Sequence, residues 1–121
     1  MTEKAQIGAE GERLAAQWLL EHGFRIVHTN WRHGRYEIDI VAERDGTVHF
    51  VEVKCRRESG LTTPEDAITE AKFAALTKAA EAYIDLYDID SEIQFDLVAV
   101  EYTKDHHRVR YIPNAMIFSW G

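Results

Sequence analysis

The 121 residues, 45% hydrophobic and 29% charged, suit one globular domain, residues 1–121, with enough core to need no covalent staple. A formal net charge of −7 excludes a protein that coats nucleic acid through a general basic surface, and a single cysteine, Cys55, excludes an intramolecular disulfide and suits a reducing cytoplasm. No apolar run approaches the roughly 20 residues that cross a bilayer, and Met1-Thr2-Glu3-Lys4-Ala5-Gln6 lacks the apolar stretch of a secretory leader, so no membrane partner is expected.

In chain order, residues 4–22 predict a helix: Ile7, Leu14, Ala15 and Trp18 share a stripe, Leu19 lies beside it, and Gly23 is the stop. Residues 24–30 predict a short strand, and Asn30 to Arg35 a polar loop. Residues 37–42 and 47–54 predict two stronger strands joined through Arg44-Asp45-Gly46, where Asp-Gly between β-branched runs signals a hairpin. Residues 57–63 read as a polar loop. Thr63-Pro64-Glu65-Asp66 has the chemistry of a helix start, and that Ala-rich helix is expected to run to about Tyr87. Strands are expected over 93–102 and 108–112, with a turn near Lys104-Asp105-His106, before an apolar tail, 113–121. Helix, three strands, helix, two strands predicts an α/β fold, a mixed sheet with helical cover.

Charge is unevenly spread: residues 1–60 hold 9 Lys/Arg against 10 Asp/Glu, residues 61–121 hold 5 against 11. A phosphate-facing surface is therefore expected in the first half, where bound metal would add positive charge.

Side chains alternate faces along a strand, so Glu52, Lys54 and Arg56 share one face, and Val51, Val53 and Cys55 the other. On the preceding strand Glu37 and Asp39 share a face, with Ile38 and Ile40 opposite. In-register pairing lays Asp39 beside Glu52. Carboxylates among apolar neighbours must be paired, hydrogen-bonded or metal-bound. Asp39, Glu52 and the carbonyl of Val53 are hard oxygen donors suited to Mg²⁺ or Mn²⁺. Metal-assisted phosphodiester hydrolysis needs such a set, and Lys54 would orient the water, hold its hydroxide form or touch the phosphate. A cross-strand salt bridge on a solvated face is the bland reading of the same triplet.

Three further features weigh against the bland reading. Gly8 and Gly11 lie early in a helix, which suggests close approach to another element, and Glu12 beside them would complete a metal cluster or position its water. Lys72 interrupts the apolar face of Ile68, Ala75, Leu76 and Ala79; it reaches a phosphate or snorkels to solvent. Arg25, Trp31, Arg32, His33, Arg35, Tyr36, Arg56 and Arg57 form a basic and aromatic set, in which Arg32, Arg35 and Arg56 would grip phosphates and Trp31 or Tyr36 would stack on an unpaired base. By contrast, His106-His107 reads as an exposed turn, His22, His28, His33 and His49 lack zinc spacing, and Asp96 reads as a structural acceptor.

Gly8-x-x-Gly11-Glu12, Glu37-Ile38-Asp39, Phe50-Val51-Glu52-Val53-Lys54, the Ala-rich helix bearing Lys72, Phe95-Asp96-Leu97-Val98-Ala99-Val100 and Ile112-Pro113-Asn114-Ala115 together resemble the uncharacterised bacterial YraN family over nearly the whole chain. That family is similar to archaeal Holliday junction resolvases and shares their restriction-endonuclease-like fold. The resemblance implies a metal site of Asp39, Glu52 and Lys54 with Glu12 as an added acid, a DNA substrate and a homodimer. Two positions depart from the pattern: Tyr36 stands where the family usually has a small residue, and Ile38 replaces the Pro of the fold's Pro-Asp signature.

The expected protein is thus a cytoplasmic, Mg²⁺- or Mn²⁺-dependent endonuclease of branched or distorted DNA. Glu12, Asp39 and Glu52 would hold metal, Lys54 would assist water, and Arg32, Arg35, Arg56 and Lys72 would meet phosphates. The alternatives are a non-catalytic nucleic-acid-binding or assembly module on the same scaffold, favoured by the acidic total, and a protein–protein module using the apolar tail Ala115–Trp120.

Overall fold

In the computed structural model, residues 2–57 and 68–115 are described. Helix α1 (Glu3–Glu21) leads into strands β1 (Arg25–His33), β2 (Tyr36–Arg44) and β3 (Thr47–Arg57); helix α2 (Glu70–Tyr87) then precedes β4 (Glu92–Tyr102) and β5 (His107–Ile112). The five strands form one sheet in sequence order. Only β3 and β4 run parallel; the other neighbours are antiparallel. Parallel neighbours need a crossover, and α2 lies in it. The expected α/β order and mixed sheet flanked by helices are both observed.

The helices cover opposite faces. Leu14, Ala15 and Leu19 of α1 pack with Phe24 on Ile40, Ala42, Val51, Val98 and Val100. Leu76, Ala79, Ala80 and Tyr83 of α2 pack on Trp31, Ile38, Val41, Val48 and Phe50. Truncating a buried ring such as Phe50 to alanine would cost about 3–5 kcal/mol.

Local chemistry sets the element ends. At the end of α1 the N–H of Phe24 reaches the carbonyl of Leu19 at 3.0 Å and that of Gly23 reaches Leu20, which satisfies carbonyls the helix leaves open. Asp45 and Gly46 carry φ of 52° and 79° between the paired Arg44 and Thr47, the two positive angles a tight hairpin requires.

Three expectations are corrected. β1 continues through Trp31, Arg32 and His33, which pair with Ile38, Glu37 and Tyr36, so the loop placed at Asn30–Arg35 shrinks to a turn at Gly34-Arg35. Burial of Trp31 against α2 is what keeps this polar segment in the sheet. Helix α2 starts at Glu70 instead of after Thr63: Thr69 is extended, and its hydroxyl accepts the Lys72 N–H at 3.1 Å. Residues 63–66, most of the 57–63 loop and the tail beyond Ala115 lie outside the described residues. Finally, Ile38 and Ile40 do not share a core: Ile38 packs towards α2 and Ile40 towards α1. Pairing passes from Thr29↔Ile40 to Trp31↔Ile38, so Asn30, with φ 50°, stands opposite Asp39 and marks the break in simple alternation.

Candidate active site

β2 and β3 pair as far as Ile40↔Val51, and their ladder ends there. One more step of that register sets Asp39 opposite Glu52. Asp39 replaces the missing ladder bond with its side chain: Oδ2 accepts the Val53 N–H at 2.8 Å. The N–H and C=O of one strand residue point to the same edge, so the Val53 carbonyl also faces the gap beyond the ladder.

Both acids are electrostatically uncomfortable. Burial pushes Asp39 up to about 7, and the neighbouring Glu52 charge adds to the rise; the Val53 N–H opposes it, while Glu12 and Glu37 reinforce it. Burial also raises Glu52, with Lys72 and Lys54 opposing and Glu37 reinforcing. Burial, with the charges of Glu12 and Asp39, pushes the Cys55 thiol up to about 11, so it is no nucleophile at neutral pH.

These acids open onto a cavity of about 570 Å³ between the sheet and α2. Glu37, Asp39 and Glu52 line one side with Arg35 and Tyr36; Lys72 and Lys78 come from α2. Ala71, Ala74 and Ala75 leave the space open. The resulting room is concave and carries acids facing lysines, an arrangement able to take a cation and an anionic ligand together.

Of the expected residues, Asp39, Glu52, Lys72 and Arg35 are brought together. Lys54 follows Glu52 on the same strand, half-buried, and its charge acts on Glu52. Glu12, half-buried on α1, acts on Asp39 through its charge without lining the cavity. Gly11 explains why α1 comes so near: a Cβ there would overlap Cys55 Sγ, whereas one on Gly8 would meet nothing within 4 Å. Arg32 is exposed and lies 3.8 Å from Glu37. Arg56 turns instead to Glu101, 3.5 Å away. Trp31 is 7% exposed and gives its N–H to the Tyr87 hydroxyl at 3.2 Å, which removes it as a base-stacking platform. Tyr36 forms part of the cavity wall, with Arg35 5.8 Å from its ring.

Sequence reasoning missed Lys78. Its signal was the i, i+3, i+4, i+7 series Ala71, Ala74, Ala75, Lys78, a small-residue stripe ending in a cation. Asp96 is the structural acceptor expected, buried and bonded to His49, Gln94, the Tyr111 hydroxyl and the Asn114 N–H.

Among the described residues no group of three or more His, Cys, Asp and Glu side chains could hold a metal ion. The donors that fit a hard divalent cation are the two carboxylates and the Val53 carbonyl, whose oxygen chemistry matches it and whose excess negative charge it would relieve. No helix among the described residues is long and apolar enough to cross a membrane.

The model of the family described as "Uncharacterised protein family UPF0102" matches residues 11–100. A UPF0102 protein of Bacteroides thetaiotaomicron is 37% identical over 115 residues, 95% of each chain. Another, from Nitratidesulfovibrio vulgaris strain Hildenborough, is 47% identical over 94 residues, 77% of this chain and 70% of that one. Among solved structures, Pyrococcus furiosus SfsA in complex with Ca²⁺ aligns with 93% of this chain at a TM-score of 0.37 and 14% identity; the chain spans 64% of SfsA.

Proposed function

The chain belongs to the uncharacterised UPF0102 (YraN) family, and from the geometry of its acidic cavity we propose that it is a metal-dependent endonuclease of branched or distorted DNA. The observation that carries this reading is the pair Asp39 and Glu52 at the end of the β2–β3 ladder, one fixed by the Val53 N–H, both raised by burial, facing the lysines of α2.

In this reading Asp39, Glu52 and the Val53 carbonyl hold Mg²⁺ or Mn²⁺, with Glu12 adding negative charge from α1. The ion would supply an activated water and offset charge growing on phosphorus. Lys54 orients the attacking water. Lys72 and Lys78 draw the phosphate towards the acids, and Arg35 and Arg32 hold flanking phosphates at the rim. The cavity's lysine wall supplies locally the positive charge that the chain lacks overall. A homodimer would present two such sites to two strands, and the cytoplasm is the proposed compartment.

The absence, among the described residues, of a third side-chain ligand favours a second reading: a nucleic-acid-binding module that needs no metal. Cleavage separates the two. Labelled duplex, single strand, flap and four-way junction are incubated with protein in Mg²⁺, Mn²⁺ or chelator. Cutting confined to the metal lanes supports the endonuclease; binding without cutting in any lane supports the module.

A further inference from the structure

Two kinds of surface meet in the cavity between the sheet and α2, and phosphate chemistry uses only one of them. Asp39, Glu52, Lys72 and Lys78 are the charged groups that chemistry needs. Tyr36, Ala71, Ala74, Ala75 and Leu76 add an apolar wall to the same cavity. A phosphate gains nothing from such a wall. A guest with a flat apolar part joined to a phosphate gains from both surfaces.

On the helix side, Ala71, Ala75 and Lys78 follow at i, i+4 and i+7, with Ala74 beside them, so methyl groups line the cavity and a cation ends the stripe. All three alanines are exposed, and a longer side chain at 71 or 75 would take up the space they leave. On the sheet side, Tyr36 opens β2 and pairs with His33 across the Gly34-Arg35 turn. It is half-buried: it packs against the core under α2 and also lines the cavity. Exposed Arg35 lies 5.8 Å from the centre of its ring. The space of about 570 Å³ falls within the range of about 300–1,000 Å³ that holds a small organic guest. In a duplex the faces of the bases are stacked and only their edges show in the grooves, so a base reaches the wall of a cavity only when it is unpaired.

We propose that this cavity seats one unpaired nucleotide, its base against Tyr36 and the alanines of α2 and its phosphate among the lysines and acids, so that Tyr36 selects strands with unpaired bases over continuous duplex. The proposal rests on the endonuclease reading for the nature of the substrate, nucleic acid, and narrows it to the unpaired strand of a branched or distorted molecule. Every base has a face to stack, so the selection is for strand state and not for sequence.

The test is anisotropy of labelled oligothymidylate and labelled blunt duplex, in chelator and in Ca²⁺, a hard cation that takes the same oxygen donors. Wild type is compared with Tyr36→Ala, Tyr36→Phe and Ala75→Leu, and thermal melts check that each variant folds. Tyr36→Ala should bind oligothymidylate about tenfold more weakly and duplex as wild type does, because the stacking surface is lost and no charge changes. Tyr36→Phe should keep wild-type affinity. Ala75→Leu, which fills the cavity at an exposed helix position, should weaken oligothymidylate alone. Oligothymidylate bound equally by wild type and Tyr36→Ala, lost equally with duplex, or not bound by wild type in either condition overturns the nucleotide site, even where metal-dependent cleavage stands. Loss confined to oligothymidylate supports it, even where no substrate is cut. Thymidine monophosphate is titrated in parallel; Tyr36-dependent binding of the free nucleotide without binding of the strand overturns the proposal in favour of a small-molecule site.

Discussion

Asp39 Oδ2 accepts a hydrogen bond from the backbone N–H of Val53 at 2.8 Å, across the point where the β2–β3 ladder has already ended at Ile40↔Val51. That bond makes a side chain finish a sheet. It fixes the carboxylate without neutralising it and keeps Glu52 close. The same residue is therefore structural through one oxygen and titratable at the cavity, and removing its charge separates the two roles.

Asp39→Asn keeps an oxygen for Val53 and removes the charge. Asp39 has a folded-state pKa of about 7, above the roughly 3.9 of an unfolded aspartate. The folded protein therefore binds the extra proton: stability from this group is complete below about pH 4 and is lost as pH rises through 7. Glu52, also raised, acts in the same direction. In chelator, wild type should lose about 1–3 kcal/mol relative to Asp39→Asn between pH 5 and 8 by urea unfolding. Parallel pH profiles would rule out the buried charge.

Divalent cation should reverse that loss. At pH 8, millimolar Mn²⁺ should raise the melting temperature of wild type by a few degrees, since binding to the folded state alone stabilises it. Asp39→Asn should respond far less. Equal rises in both proteins would place the ion elsewhere.

The two glycines of α1 should respond oppositely to alanine. Gly8 faces open space, so Gly8→Ala should stabilise by about 0.5–1 kcal/mol through helix propensity. Gly11→Ala drives a methyl into Cys55 Sγ and should destabilise by about 1–3 kcal/mol despite the same gain. Adding Cys55→Ala should restore most of it. Without that recovery in a double-mutant cycle, the helix–strand contact is not what fixes α1.

Asp96 ties β3, β5 and the turn at Asn114 to one buried carboxylate. Asp96→Ala would leave His49 and Tyr111 without their acceptor and should cost about 3 kcal/mol or more in denaturant unfolding. Because its partners hold the Asp96 carboxyl low, its stabilisation is present above the unfolded pKa and is lost as pH falls through the lower folded one. Asp96→Asn should therefore flatten the acid limb of the stability curve. An unchanged acid limb would assign that loss to other groups.

The element order was legible because strong local signals agreed with tertiary demands: Asp45-Gly46 between β-branched runs, Gly23 after an apolar stripe, Ala-rich α2. The nearness of Asp39 to Glu52, one step beyond the last ladder pair, followed from two-residue alternation and the hairpin register. The same alternation misassigned Ile38, because Asn30's positive φ opposite Asp39 is a backbone irregularity that composition does not announce. Trp31 sat in a basic stretch that looked solvated, yet α2 covers it, a tertiary contact with Tyr83 and Tyr87 across more than fifty residues. Arg56 was legible as basic but not as Glu101's partner, since that contact needs the parallel register of β3 with β4.

The central claim, that the Asp39–Glu52 pair makes this a metal-dependent nuclease, is tested most directly by single-turnover cleavage of a four-way junction in Mn²⁺ by wild type and Asp39→Asn. The account predicts cutting by wild type, none in chelator, and a loss of at least about a hundredfold in Asp39→Asn, as expected when a group that stabilises transition-state charge is removed. Equal cutting by the two proteins, or no cutting by folded wild type, would contradict it.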